Sequence, residues 1–189
     1  MQKIMFNDRY GLTNAVIEGR KTMTRRLIPD EFFGLTWDTR GNTLVYENEY
    51  GDFIDVRHSK YTRYKVGEVV AVAQCYNDVV REFTDLAFVP GSTNKMFVRA
   101  DLMPHQIRII GIRCERLRDI SDEECIKEGV YAGSQALEYP YYFIDTKQFL
   151  ICDYKSPREA FAALIDKVSG RGTWDRNPWV VVYEFELVK

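Results

Sequence analysis

Residues 19–26, Gly-Arg-Lys-Thr-Met-Thr-Arg-Arg, constrain the fold of this chain more than any other stretch. Four of the eight residues are cationic and two carry hydroxyls. Lys and Arg side chains are almost never fully buried without partners, yet this run lies between segments that are apolar enough to form a core. The stretch must therefore line a surface or a cleft. It is either a solvated connection or an anion-binding site in which a Lys and a Thr are available for chemistry.

The segment before this run predicts a short helix. It begins near Asn7 or Asp8, carries an apolar stripe at the spacing of one helix face, and ends at Gly19. Lys21 and Thr24 then follow, three residues apart. Side chains three apart point to opposite faces of a regular strand, so these two can share a site only if the chain turns or bulges between them.

Composition indicates a folded chain without a strong overall field. At 189 residues, the length fits one domain with insertions. The 14% aromatic content argues against disorder. The formal net charge is −2, so binding to a nucleic acid must come from a local basic patch.

The sequence predicts a cytoplasmic protein without a membrane segment, a cofactor or a metal. No run of about 18 apolar residues is present, and the N-terminus lacks the apolar stretch of a signal peptide. The two histidines, His58 and His105, are too few and too far apart to suggest a metal site. The irregularly spaced cysteines are expected to be reduced thiols: Cys75, Cys114, Cys125 and Cys152.

Five apolar segments predict strands, and Gly111 is expected to mark a bulge in the fourth. The segments are 4–6, 69–73, 96–98, 107–112 and 179–188. Two further helices are predicted, one from a capping box that opens at Ser121 and ends at Gly129, the other from a similar start at Ser156 that ends at Gly170. Residues 30–64 read as a β-hairpin insertion, and residues 77–95 and 171–178 as loops. The expected class is α+β, a mixed sheet or barrel with about three helices packed on it.

Residues 19–26 resemble the G-x-K-T-x-T-x-R signature of ASCH domains, which have a PUA-like β-barrel fold. Other segments resemble the family in the same order along the chain, namely 65–68, 103–109, 117–129 and 177–180. The similarity is greatest to the larger bacterial and phage-type members and spans nearly the whole chain. It implies one domain over residues 1–189, a PUA-like mixed β-barrel with about three flanking helices, and family-variable insertions at about 30–64 and 77–95.

The resemblance implies a role in RNA or modified-nucleoside metabolism. Some small ASCH proteins are amidohydrolases that remove the acetyl group from N(4)-acetylcytidine. Their catalytic Lys and Thr match Lys21 and Thr24, and Glu128 is the best match to their catalytic Glu. In such a site a neutral Lys activates the Thr hydroxyl. Neighbouring Arg side chains would lower the pKa of that Lys, because like charges disfavour its protonated form.

Two other functions are open for the same cleft. One is a non-catalytic RNA-binding module, in which Arg side chains contact phosphate and an aromatic ring stacks on a base. The other is a ribonuclease that uses the same Lys, Thr and Arg groups. In each case the expected partner is RNA or a modified nucleoside. The candidate contact residues are Arg20, Arg25, Arg26, Arg108, Asn177 and Trp179.

One segment departs from the family pattern. Larger members often carry an Arg-Glu-Thr-Trp-like segment after the strand that corresponds to 69–73. Here residues 72–76 read Val-Ala-Gln-Cys-Tyr. An acidic group and a basic group that the family provides at the cleft are therefore absent from this segment.

Overall fold

A computed structural model describes residues 1–29, 34–79, 89–133, 142–144 and 151–188, which form an α+β fold. Its strands, in chain order, are β1 (Lys3–Ile4), β2 (Met23–Leu27), β3 (Thr36–Asp38), β4 (Thr43–Glu47), β5 (Phe53–Asp55), β6 (Val69–Val72), β7 (Gln106–Arg116), β8 (Tyr131–Ala132), β9 (Tyr142–Ile144), β10 (Ile151–Tyr154) and β11 (Trp179–Leu187). Its α-helices are α1 (Leu12–Ile17), α2 (Tyr76–Val79), α3 (Asp122–Lys127), α4 (Pro157–Ser169) and α5 (Thr173–Arg176). None of these described helices has the length and apolar character needed to cross a membrane.

The central sheet has the strand order β1-β6-β7-β11-β2. Only the β1–β6 pair is parallel, and the other neighbours are antiparallel. The long β7–β11 pair carries the predicted bulge: Glu184 lies opposite Gly111 and Phe185 opposite Ile109, so that Ile110 is the extra residue. β2 is an edge strand, and the described strands do not close into a barrel.

The core lies between this sheet and the helices. The largest side chains that are at most 2% exposed are Tyr183, Phe161 and Phe185. Burial of each such side chain contributes about 1.5–3 kcal/mol to the stability of the fold. Phe161 belongs to α4, whose buried residues Phe161, Leu164 and Ile165 form an apolar stripe at the spacing of one helix face. That helix therefore packs on the core with one face and leaves the next residues of its stripe at the border of a cleft.

The predicted starts of the two later helices are confirmed. Ser121 caps α3 and forms the reciprocal capping box with Glu124, while Ser156 caps α4 with Pro157 in its first turn. The first helix is shorter than predicted. Asn7 caps only a single 3₁₀ turn, and Gly11 then adopts a left-handed conformation with φ 62°, so α1 begins at Leu12.

Three local predictions were wrong. The predicted strand 96–98 is instead a 3₁₀ turn, Lys95–Phe97, because the Asn94 side chain accepts a hydrogen bond from the Met96 amide and caps it. The predicted loop 171–178 contains α5. The insertion at 30–64 is a three-stranded sheet β3-β4-β5, not a two-stranded hairpin. Residues 30–33 and 80–88 of the two insertions lie outside the described residues.

Substitution of Gly129, which follows the C-cap residue of α3, can show how tightly the end of this helix is packed. Gly129 has φ 105°, and a Cβ there would meet Leu12 Cδ2 at 3.0 Å and Lys21 Cδ at 3.6 Å. Gly170 has the same φ of 105° but nothing within 4 Å of a Cβ. We expect Gly170→Ala to lower the free energy of unfolding by about 1–3 kcal/mol, the cost of placing a residue with a side chain at this positive φ. Gly129→Ala should cost about 1–3 kcal/mol more, because the added methyl group overpacks the site.

Urea unfolding of the two variants, followed by circular dichroism, measures this difference. Equal losses in Gly129→Ala and Gly170→Ala would show that the packing of Gly129 against Leu12 is not tight.

Candidate functional site

Lys21 and Thr24 reach the same cleft because the chain turns between them. Lys21 lies in the connection before β2, where its amide donates to Ala15 O at 2.8 Å. The Thr22 amide donates to Lys127 O at 3.0 Å, which ties the connection to the end of α3. Thr24 lies within β2, opposite Tyr183. Lys21 is therefore outside the regular strand, as the spacing of three residues required.

A cleft of about 810 Å³ lies along β2. Its polar lining includes three groups that the sequence singled out, Lys21, Thr24 and Glu128, together with Arg25 and Arg26. The opposite side is apolar and comes largely from α4. The apolar lining residues are Met5, Phe6, Leu12, Leu27, Phe161, Leu164, Ile165 and Val168.

Lys21 and Glu128 form a buried ion pair. Lys21 is 2% exposed and Glu128 is 4% exposed. Lys21 Nζ donates to Glu128 Oε2 at 2.6 Å, to the Glu128 carbonyl at 2.7 Å and to the Met23 carbonyl at 2.7 Å. Three acceptors match the three N–H groups of an ammonium. In this arrangement, Lys21 is fully hydrogen-bonded within the protein.

Burial lowers the pKa of Lys21 below its ordinary value of 10.5, although the attraction of Glu128 opposes the change. Arg26 and Arg25 lower the pKa further by repulsion. The sequence predicted this direction from the neighbouring Arg side chains. Removal from water is the larger cause, so the neutral amine becomes accessible at lower pH than in an exposed lysine.

Arg25 connects the pair to two further carboxylates. Its Nη1 donates to Glu128 Oε1 at 3.1 Å, and its Nη2 donates to Glu115 Oε1 at 2.6 Å and to Glu124. Burial works against the charged guanidinium, but these three carboxylates raise the pKa of Arg25 above its usual value. Arg113 extends the network by donating to Glu115 Oε2 at 2.7 Å. The positive charge of Arg25 is therefore balanced by carboxylates within the protein.

Thr24 is 5% exposed and keeps its hydroxyl available. Its side chain makes no hydrogen bond that involves another described residue. Its backbone is fixed by the β2–β11 pairing opposite Tyr183. A hydroxyl held on a paired strand, within a cleft that also contains a buried lysine, meets the basic requirement for a positioned nucleophile.

The rim of the cleft supplies an acid and a base that sequence reasoning missed. Lys95 Nζ lies 2.9 Å from Asp8 Oδ1, and both residues line the cleft. Lys95 begins the 3₁₀ turn Lys95–Phe97, whereas the sequence placed it at the end of a loop over residues 77–95. Arg26 also lines the cleft, and its Nη2 donates to the Met5 carbonyl at 2.7 Å. The two group types absent from residues 72–76 are thus present at the rim from other segments.

Four of the predicted contact residues lie away from the described lining of the cleft. Arg20 pairs with Glu18 at 2.7 Å, and its guanidinium carbon lies 3.8 Å from the ring centre of Tyr131. Arg108 pairs with Glu186 at 2.9 Å on the outer part of the sheet.

The other two, Asn177 and Trp179, lie at the start of β11. Asn177 adopts a left-handed conformation, and its side chain accepts from the Arg118 amide at 2.8 Å. Trp179 stacks on Trp37 with ring centres 5.7 Å apart, and the Arg116 guanidinium lies 4.2 Å from its ring centre. Contacts of Arg20, Arg108, Asn177 and Trp179 with RNA stay predictions.

Cys75, Cys114 and Cys125 are free thiols. Burial raises the pKa of Cys114 and of Cys125 to about 12 in each case, so both stay protonated near neutral pH. Cys75 lines the cleft, and burial raises its pKa as well. Within the described ranges, no group of three or more His, Cys, Asp or Glu side chains is arranged to hold a metal ion.

The charge network predicts a loss of stability in acid. Burial works against the charged form of Glu124, but Arg25 and Arg113 outweigh it, so the pKa of Glu124 falls below its ordinary value of 4.5. A lowered pKa contributes stability above pH 4.5, and that stability is lost as the pH falls through the folded-state pKa. Glu124→Gln keeps the capping function but removes the charge. We expect it to lower the free energy of unfolding at pH 7 by about 1–3 kcal/mol.

Urea titrations at several pH values between 7 and 3 measure this effect, with Glu123→Gln in the same helical turn as the control. The difference between Glu124→Gln and the parent protein should shrink below pH 4.5. A difference that stays constant with pH would argue against the charge of Glu124 as its cause.

No protein-family model, no curated protein and no solved structure matches the chain. The function proposed below therefore rests on the chain's own residues, above all the buried Lys21–Glu128 pair and the hydroxyl of Thr24.

Proposed function

We propose that this chain is an ASCH-type amidohydrolase that removes the acyl group from an N-acylated nucleoside such as N(4)-acetylcytidine. The observation that carries the proposal is the buried ion pair of Lys21 and Glu128 in the cleft that contains the Thr24 hydroxyl. The resemblance assigns catalytic roles to these three residues. A PUA-like barrel and a cytoplasmic location are parts of the same proposal. The α+β fold is compatible with that family, the barrel itself rests on the resemblance, and free thiols fit a reducing compartment.

Thr24 is the nucleophile in this proposal. Its Oγ1 attacks the acyl carbon of the substrate, and the bond from that carbon to the exocyclic nitrogen breaks. The acyl group is then carried as an ester on Thr24, and the nucleoside leaves as the free amine. Water attacks the ester carbon, which releases the carboxylic acid and restores the hydroxyl.

Lys21 moves the proton that these steps need, and Glu128 orients it. Glu128 Oε2 lies 2.6 Å from Lys21 Nζ and holds the amine in place. In its neutral form, which burial makes accessible at lower pH, Lys21 accepts the Thr24 proton during attack. Lys21 then gives this proton to the departing nitrogen. In the second half of the reaction, Lys21 accepts a proton from the attacking water and returns it to Thr24 Oγ1 as the ester breaks.

The cleft combines paired charges with an apolar side. Arg25 contacts three carboxylates, and its side chain is 0% exposed. Lys21 is paired with Glu128, and Lys95 with Asp8. Among the described residues, Arg9 and Arg26 are the cations of the lining without a salt bridge, and the apolar side formed by α4 suits the face of a nucleobase.

Substitution of Thr24 tests the proposal directly. Thr24→Val removes the hydroxyl at nearly constant volume, and we expect kcat for N(4)-acetylcytidine to fall by about 10²–10⁴-fold. Thr24→Ser keeps the nucleophile and should retain activity within about tenfold. Arg108→Ala, outside the described lining of the cleft, is the control. Liquid chromatography of released cytidine measures the rates.

Two results decide the outcome. An acetyl ester on Thr24, trapped by acid quench and found by mass spectrometry, would support the covalent route. Full activity in Thr24→Val, with an unchanged melting temperature, would exclude Thr24 as the nucleophile. The parent protein's kcat/KM should also rise with pH below 10.5, because the neutral form of Lys21 is the base and burial lowers its pKa.

RNA binding is the second candidate function, and a different cavity favours it. A space of about 620 Å³ is lined by three side chains with basic nitrogen atoms, Arg57, His58 and Lys65, beside Val66 and Ile112. Arg57 pairs with Asp55 at 2.6 Å, so Lys65 is the cation of this lining without an ion-pair partner among the described residues. Such a surface can contact a phosphate backbone next to an apolar patch.

Salt dependence tests RNA binding. A single-stranded RNA held by this surface should lose affinity with a slope of log K against log salt of about −0.7 for each neutralised phosphate. Lys65→Gln should reduce the magnitude of that slope by about one contact, while Lys167→Gln on α4, distant in sequence, should not. Binding that is independent of salt in fluorescence anisotropy would argue against a phosphate-contacting surface.

A further inference from the structure

The outer edge of β2 carries hydrogen-bonding groups that the fold does not use. The Phe185 amide donates to Thr22 O at 2.9 Å, and the Ile28 amide donates to Trp179 O at 3.0 Å. Backbone groups alternate in direction along an antiparallel strand. The even-numbered residues from Thr22 to Ile28 therefore bond to β11. The main-chain groups of Met23, Arg25 and Leu27 point away from it.

An independent contact supports this direction. The Met23 carbonyl accepts from Lys21 Nζ at 2.7 Å, so the outer edge of β2 faces the same side as the catalytic lysine. The next outward groups, at Arg25 and Leu27, make no hydrogen bond to any described residue. They are the continuation of the edge into the cleft.

The exposure of Arg25 shows that this edge is accessible. The residue as a whole is 6% exposed, whereas its side chain is 0% exposed. The atoms of Arg25 that reach the cleft are therefore main-chain atoms. Leu27 also lines the cleft, so two successive outward positions of one strand lie along its floor.

We infer that the main chain of Arg25 and Leu27 is the specificity element for the substrate's pyrimidine ring. The inference depends on the proposed amidohydrolase function. The Arg25 carbonyl accepts the exocyclic N–H of the acylated cytosine, and the Leu27 amide donates to the ring carbonyl O2. These two strand groups lie about 4–5 Å apart along one edge. The exocyclic nitrogen and O2 of cytosine likewise flank a single ring nitrogen.

This arrangement selects a pyrimidine over a purine. In N(6)-acyladenosine, the exocyclic N–H is present, but a C–H group stands where cytosine has O2. The Leu27 amide would then be buried without an acceptor, which is costly in an apolar cleft. The apolar side chains of Leu164 and Val168 on the opposite side hold the ring face without distinguishing the two bases.

Leu27→Pro removes the proposed donor and little else. Proline is tolerated on an edge strand where its missing N–H faces outward, and the Leu27 amide takes no part in the β2–β11 pairing. Leu27→Ala, which keeps the amide, is the matched control. We expect kcat/KM for N(4)-acetylcytidine to be about tenfold lower in Leu27→Pro than in Leu27→Ala. Turnover of N(6)-acetyladenosine should be no lower in Leu27→Pro than in Leu27→Ala, because proline removes the amide that this substrate leaves unpaired.

The outcomes separate this inference from the proposed function. No turnover of N(4)-acetylcytidine by the parent protein overturns the function itself. Turnover in the parent with equal kcat/KM in Leu27→Pro and Leu27→Ala overturns only the role of the Leu27 amide. If Leu27→Pro does not fold, the substrate preference of the parent protein tests the inference. The parent should prefer N(4)-acetylcytidine at least tenfold over N(6)-acetyladenosine and over N(4)-acetyl-2-thiocytidine, whose sulfur is a weaker acceptor. Equal rates would contradict the inference.

Discussion

The contact of Lys21 with Glu128 is the interaction on which the site depends. It joins two segments that are distant in the sequence, the connection after α1 and the end of α3, and it is reinforced by the Thr22 amide bonded to Lys127 O. Both side chains are removed from water, and a buried charge without a partner costs several kcal/mol. Either residue alone would therefore destabilise the fold. Together they require α3 to end where β2 begins, which brings the helix terminus, the edge strand and the cleft to one place.

Arg25 likewise pairs with carboxylates and links β2 to β7, the central strand of the sheet. Its guanidinium lies between carboxylates from α3 and β7, so the first run of cations in the chain is matched by acids that lie about 90–100 residues further along. This pairing changes the meaning of the cationic stretch. A run that suggests an anion-binding surface when read alone has its central members neutralised within the protein, and only Arg26 of its later arginines extends toward the cleft mouth. The balanced charges of the floor agree with the proton transfer proposed for Lys21.

The sequence predicted elements whose signals are local and missed those that depend on tertiary pairing. Capping at Ser121 and Ser156, and the bulge at Gly111, follow from a few adjacent residues, and the structure has them. The strand at 96–98 was predicted wrongly because an Asn cap outweighed the apolar character of the segment. The Lys21–Glu128 pairing was suggested only by resemblance. The acids around Arg25 were not foreseen, because no spacing rule relates β2 to residues on β7.

An edge strand with free main-chain groups is normally a liability, because it can pair with a second chain. In this fold the edge of β2 faces a cleft whose other side is the apolar face of α4, and that helix restricts approach by another strand. The same confinement makes the edge useful, since hydrogen bonds strengthen where water is excluded. Apart from substitution by proline, a mutation in a strand changes its side chain and leaves its backbone hydrogen-bonding groups in place. Specificity built on Arg25 and Leu27 would therefore be insensitive to the identity of either side chain, so residue types alone would not reveal it.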